Sequence, residues 1–264
     1  MKESKLKEVR ALVIRSDIKL GGATGAKVIG CDDGHYYVCK SLRFLPEPQP
    51  HLLANEQISK NLADLLSLPV QPARIVNLRG ERLFGSLLEA GLRDMKTVRL
   101  KRDRLDNWPD VPAILVFDIF ICNLDRHQGN SLALISGRTG TRYQLRIMDH
   151  SHALMGSSLA NSAVLKDEFG LAKYLNFYRL NTLIEEEAEF EPALATLERL
   201  TKEEISWAVG NLPEEWLPNY RENYPIITRA LLRRKERVRE LLTKQLAEER
   251  GLPPINRLFP NIRG

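Results

Sequence analysis

The chain has 264 residues, which is enough to bury a substantial core, longer than most single compact units and short for two full domains. Lys and Arg (39) outnumber Asp and Glu (34), an excess too small and too dispersed to argue for a nucleic-acid partner. No apolar stretch approaches the ~20 residues that span a bilayer, and the start, MKESKLKEVR, lacks the apolar segment of a signal peptide, so a cytoplasmic location is expected.

The first third reads as strands plus one helix. ALVIR (11–15) and HYYVCKSL (35–42) are rich in β-branched, aromatic and apolar residues, and between them lie the glycine-rich KLGGATGAKVIG and the turn signal CDDG. Cys31, Cys39 and Cys122 are odd in number, form no CxxC pair and sit in apolar surroundings, so reduced, buried thiols are expected rather than a disulfide framework. After the proline-rich break LPEPQP (45–50), Leu52, Leu53, Gln57, Ile58, Leu62, Leu65 and Leu66 recur near a 3.6 period until Pro69, which predicts a helix. PARIVNLRGERLFGSLLEAG then reads as two short strands around Arg79 and Gly80, ending in a glycine-bounded connector.

The character changes near residue 91. A polar, charged stretch gives way to VPAILVFDIFICNL, almost wholly apolar as a buried helix would be, and SLALI and YQLRIMD read as a hairpin joined through SGRTGT. Beyond residue 160 the pattern is mostly helical, in ALATLERL, KEEISWAVGNL and TRALLRRKERVRELLTKQLAEER. In the last of these the basic residues alternate with Glu and Leu, the spacing of a solvated face on an amphipathic helix. Trp108, Trp207 and Trp216 are expected to fill this helical part rather than to meet a ligand.

Four separated features carry chemistry. Gly21, Gly22 and Gly25 form a turn that either serves geometry alone or brings backbone N–H groups to phosphates. Lys40, on a strand with apolar neighbours, and Glu56, within the first helix, are either two exposed charges or an inward lysine with its carboxylate. Asp125 and Asn130 have the D-x-x-x-x-N spacing of a kinase catalytic loop, in which the aspartate orients a hydroxyl proton and the asparagine amide oxygen binds a metal ion. Asp149, at the end of the strand-like RIM, supplies the hard carboxylate that Mg²⁺ requires.

In this order the features resemble the HipA-like kinases, and more closely their compact single-domain branch. The resemblance rests on NLDRHQGN with Asn123, Asp125 and Asn130, on MDHSHAL (148–154), on ANEQISKNLADLLSLPVQPARIV and on GNLPEEWLP, and it runs from about residue 10 to 245. DRHxxN is also similar to the catalytic loop of phosphatidylinositol kinases, relatives of the same superfold. The resemblance implies an α+β, bilobal protein-kinase-like fold: a small β-rich N-lobe with one main helix (1–90) and a larger, mainly helical C-lobe (91–264), with ATP and Mg²⁺ in the cleft. Carried over by position, Lys40 would bind the α- and β-phosphates and pair with Glu56. Asp125 would be the catalytic aspartate, Asn130 and Asp149 the magnesium ligands, and Gly21, Gly22 and Gly25 the phosphate loop. The connector FGSLLEAG (84–91) would be the hinge, with backbone groups at Leu87, Leu88 and Glu89 meeting the adenine.

The chain has no GxGxxG, HRD, DFG or APE, so the activation-loop logic of Ser/Thr kinases does not carry over. His127, His150 and His152 with their neighbouring carboxylates read either as a transition-metal site or as supports, His127 holding the catalytic loop and the other two orienting the metal-binding segment. Asn123 and Ser131 read as supports as well. The larger HipA toxins can carry a serine that they autophosphorylate in the glycine loop, where this chain has only Thr24, and they have an N-terminal region that contacts an antitoxin, which this shorter chain is expected to lack. The favoured activity is an ATP-dependent transfer to a protein serine or threonine, with a protein substrate and a regulatory protein as partners and no specific nucleic acid. A nucleotide-binding pseudokinase and a lipid or small-molecule kinase are the alternatives.

Overall fold

The computed structural model describes residues 7–18, 25–44, 51–94, 101–123, 125–126, 131–136, 141–154 and 184–251. The strand-forming runs near the start give β1 (Glu8–Arg15), β2 (Lys27–Cys31) and β3 (Tyr36–Lys40), and those after the first helix give β4 (Ala73–Leu78) and β5 (Glu81–Leu87). These five close into a barrel in the order β1-β2-β3-β5-β4. All pairings are antiparallel except β1 with β4, which is parallel and seals the barrel. The β4–β5 hairpin turns on Arg79 and Gly80, both at positive φ (54° and 86°), as the two central residues of a type I′ turn must be. A bulge between Ala11 and Val13 interrupts the β1–β2 register, and Leu12, Val13 and Ile14 around it are solvent-exposed.

The barrel encloses Ile29, Cys31, Tyr37, Cys39, Val76 and Leu83. Cys31, Cys39 and Cys122 are all free and buried. The helix expected after the proline-rich break is α1 (His51–Leu65), and its apolar stripe does not enter the barrel. Leu53, Ala54, Ile58, Leu62 and Ala63 belong instead to the large core of the helical part.

That core is built on α2 (Asp110–Phe120), whose continuous apolar run is buried on nearly every side. Around it lie α3 (Glu191–Glu198), α4 (Lys202–Gly210) and the long α5 (Tyr220–Gly251). A second, antiparallel sheet of β6 (Leu92–Asp94), β7 (Ser131–Ser136) and β8 (Arg142–Ile147) has the order β6-β7-β8. Ile147 also bonds the stretch after α1: its N–H donates to Pro69 C=O (3.0 Å) and its C=O accepts from Gln71 N–H (2.9 Å). The result is an α+β fold, sheet-rich in its N-terminal part and helical in its C-terminal part.

Two expectations need correcting. β5 runs through Leu87, so the connector starts at Leu88 rather than at Phe84. The basic run of α5 is not wholly a solvated face, because Arg234 is completely buried and its Nε donates to Ile119 C=O at 2.9 Å. Its neighbours on the helix, Leu231, Val238, Leu241 and Leu242, pack inward, and the guanidinium caps a carbonyl in the last turn of α2, where a cation is favoured. Trp216 fills the core as expected, and its indole also donates to Arg82 C=O on β5 (3.2 Å), tying the helical part to the barrel.

Candidate functional site

Alternation along β3 decides where Lys40 points. Tyr37 and Cys39 face the barrel interior, so Lys40 lies on the other side of the strand, toward α1. Its Nζ sits 2.5 Å from Glu56 Oε1 and 2.6 Å from Asp149 Oδ1, with the lysine and glutamate side chains only 11% and 3% exposed. Glu56 Oε2 accepts the backbone N–H of His150 (2.9 Å), and Asp149 Oδ1 also accepts from Ser151 Oγ (2.7 Å). Asn55, the neighbour of Glu56 on α1, donates to Ser151 C=O (2.6 Å). Side chains from β3, α1 and the segment after β8 thus meet at one point.

Burial by itself would lower the Lys40 value, but the charges of Glu56 and Asp149 outweigh it and raise the ammonium to about 12. Burial would likewise raise Asp149, yet the Lys40 charge and the hydrogen bonds from Lys40 and Ser151 hold it below the usual carboxylate range. For Glu56, burial dominates and pushes the carboxyl up, with Lys40 and the His150 N–H opposing. Lys40 is therefore a fixed cation and Asp149 a fixed anion at any physiological pH.

The second cluster grows from α2. Asp118, the one carboxylate in the buried run VPAILVFDIF, faces inward and is 2% exposed. Arg126 donates to it through two nitrogens, Nε to Oδ2 (2.8 Å) and Nη2 to Oδ1 (3.0 Å). Asn123 donates its Nδ2 to Asp118 Oδ1 (2.8 Å), and its own Oδ1 accepts from the N–H of Asp125 (3.3 Å), which holds the loop that carries Asp125. Arg126 reaches further, with Nη1 on Met148 C=O (2.9 Å) and Nη2 beside His150 Nε2 (2.9 Å). The His150 ring lies edge-on to Phe117 of α2, and burial together with Arg126 keeps it well below its ordinary value and neutral.

Of the residues singled out in the sequence, Lys40, Glu56 and Asp149 are brought together, and Asp125 stands on the loop after α2 beside the supporting Asn123. Gly25 lies at φ 58°, and a Cβ there would come within 2.7 Å of the Phe44 carbonyl oxygen, so its glycine is required by backbone geometry. Gly21, Gly22, Thr24, His127 and Asn130 lie outside the described residues, as does the side chain of Ser131. At the end of β5 the N–H of Leu87 donates to Pro72 C=O, and at the start of the connector Leu88 N–H donates to Tyr36 C=O. Leu87 C=O and the Glu89 carboxylate both accept from Gln71 Nε2 (2.6 and 2.9 Å). His152 is exposed. Asp118, Arg126, Asn55, Gln71 and Ser151 were not anticipated; the lone carboxylate within an apolar helix was the one available signal, because such a group needs a buried partner.

The donor set suits a hard divalent cation. Asp149 offers an ionised carboxylate whose side chain keeps 26% exposure, and among the described residues no three His, Cys, Asp or Glu side chains converge. One or two protein oxygens completed by water and phosphate is the manner of Mg²⁺. Fixed cationic Lys40 beside that carboxylate suits a polyphosphate.

A family model described as HipA-like kinase matches residues 14–230. A search of curated proteins finds no match. Among solved structures the chain is similar to the proinflammatory kinase CtkA of Helicobacter pylori, with a TM-score of 0.58 and 17% identity over 89% of this chain and 96% of that one. It is also similar to HipA of Shewanella oneidensis MR-1, in a complex with HipB and operator DNA, with a TM-score of 0.53 and 13% identity over 85% of this chain and 66% of that one. At such identities the likeness is one of fold.

Proposed function

Because the chain belongs to the HipA-like kinase family, we propose that it is an ATP- and Mg²⁺-dependent phosphotransferase that phosphorylates a serine or threonine hydroxyl of a protein. The observation that carries this reading is the Lys40 ammonium clamped between Glu56 and Asp149, residues from three separate elements. The two carboxylates hold the ammonium at a fixed place, and a preorganised cation of this kind suits the phosphates of a nucleotide.

Bound ATP supplies the phosphoryl donor, and Mg²⁺ neutralises charge on its phosphates. Lys40 binds the α- and β-phosphates, with Glu56 fixing its position. Asp149 and Asn130 would hold the metal, and Gly21, Gly22 and Gly25 would offer backbone N–H groups to the phosphates. Asp125 orients the acceptor hydroxyl and takes its proton, while His127 steadies the loop. Backbone groups at Leu87, Leu88 and Glu89 would meet the adenine, where Leu87 and the N–H of Leu88 also bond within the fold. The cleft lies between an N-lobe of 1–90 and a C-lobe of 91–264, the location is cytoplasmic, and a regulatory protein partner is proposed by analogy with the HipA–HipB complex.

The test is incubation with γ-labelled ATP and Mg²⁺ beside Asp125→Asn. Label transfer to the protein itself or to a lysate protein, lost in the variant while a non-hydrolysable ATP analogue still binds, supports the mechanism. Undiminished turnover of Asp125→Asn refutes it, and magnesium-dependent binding without transfer by the unaltered protein favours a pseudokinase.

A further inference from the structure

Arg126 is the most densely bonded side chain of the region, and no role in the chemistry so far requires it. It is 4% exposed and directly follows Asp125 in the chain. Its planar fork matches the Asp118 carboxylate with two parallel donors, which anchors the guanidinium to α2. Two further donors go to the residues that flank Asp149: Nη1 to the carbonyl of Met148 and Nη2 to the ring of His150.

Asp149 is a non-glycine residue at φ 57°, in the left-handed region that is uncommon outside glycine and that aspartate enters more readily than most. Such a conformation persists only where the surroundings over-determine it. Here they do so on both flanks. Arg126 holds the peptide before Asp149 and the side chain after it, while Glu56 holds the His150 N–H at 2.9 Å. A guanidinium only donates, so His150 Nε2 is the acceptor and the ring proton sits on Nδ1, 4.0 Å from Glu56 Oε2.

We propose that Arg126 is a positioning residue that brackets Asp149, locking its strained backbone into register with the Asp125 loop and with the Lys40–Glu56 pair. As far as catalysis is concerned, the proposal rests on the phosphotransferase reading; the bracket itself does not. Lysine is a poor substitute, because a single ammonium cannot make the bidentate grip and reach both flanks.

The test compares the full chain with Arg126→Lys, which keeps the charge opposite Asp118, and with His150→Ala, which opens one flank while leaving the Arg126–Asp118 pair intact. Hydrogen exchange is followed at residues 148–154, where the amides of His150, Ala153 and Leu154 are bonded to Glu56, His150 and Ile121. The expected result is exchange about tenfold faster in that segment than in the unaltered protein, with the strands of the barrel unchanged. Where the unaltered protein transfers phosphate, turnover falls about 100-fold while affinity for nucleotide without metal stays within about threefold. Unchanged exchange at 148–154 in the folded variants overturns the bracket, and unaltered turnover overturns its catalytic role. Should the unaltered protein show no transfer under any condition, it is the phosphotransferase reading that falls, and the exchange result alone decides the bracket. If Arg126→Lys does not fold, His150→Ala decides in the same way.

Discussion

Lys40 is worth more to the folded state than its own contacts suggest, because removing it leaves Glu56 and Asp149 facing each other with little water. Lys40→Met is expected to destabilise the protein by about 3 kcal/mol, and adding Glu56→Gln should restore part of that loss, since the second change removes the stranded charge. A denaturant-melt cycle of the two single variants and the double variant measures this; strict additivity would contradict the coupling. Asp149→Ala is expected to weaken magnesium-dependent nucleotide binding about tenfold while leaving the metal-free affinity nearly unchanged, as titration calorimetry with and without Mg²⁺ would show. Cys31 gives a pH signature of its own. Burial, with Asp33 and Asp32 nearby, lifts its thiol to about 11, above the ordinary ~8.5. The fold therefore favours the protonated form: this share of stability is complete below about pH 8.5 and is lost as the pH rises toward 11. The more deeply buried Cys39 has the same sign. Melts between pH 8 and 10.5 should show a falling midpoint whose slope lessens in Cys31→Ala.

Among the elements, α4 is the one whose start is written locally. Thr201 accepts from the Glu204 N–H at 3.1 Å, and the Glu204 carboxylate accepts from the Thr201 N–H at 2.8 Å, a reciprocal capping box. Thr201→Ala should cost about 1 kcal/mol by denaturant melt, whereas Thr201→Ser should cost little. Features of this local kind were legible in the sequence: the 3.6 period of α1, the Arg79–Gly80 turn, the hairpin leading to Asp149 and the wholly buried α2. What was not legible depends on distant partners. Asp118 and Arg126 are eight positions apart, a spacing that means nothing until α2 ends and the loop doubles back. The end of β5 was misjudged because the strand continues through Gly85 to Leu87, and Arg234 was misread because helical spacing does not say that its turn of α5 lies over the last turn of α2. The meeting of Lys40 with Glu56 was expected from a pattern of order along the chain rather than from any contact the sequence itself displays.

At the scale of the molecule, the division of the core matters most. Among the described residues there are two clusters, one inside the barrel and one among the helices, and α1 lies with the second although it is encoded in the middle of the first. A fragment of residues 1–90 would leave Leu53, Ile58 and Leu62 uncovered, so it is expected to remain partly unfolded and prone to associate, in contrast to the full chain; circular dichroism and size exclusion of the fragment would show this, and a monomeric fragment with a cooperative melt would contradict it. The same arrangement makes Glu56 sensitive to the packing of the helical part, since the helix that carries it rests there.

Finally, the bulge in β1 bears on how the protein behaves in a crowded solution. Leu12, Val13 and Ile14 form an outward apolar run that, on an open sheet, would invite another chain to add itself as a strand. Here the pairing with β4 covers only Glu8–Arg10, while Val13 and Ile14 pair with β2 alone, so it is the bulge between Ala11 and Val13 that blunts the run, by disrupting the flatness that strand addition and stacking would need.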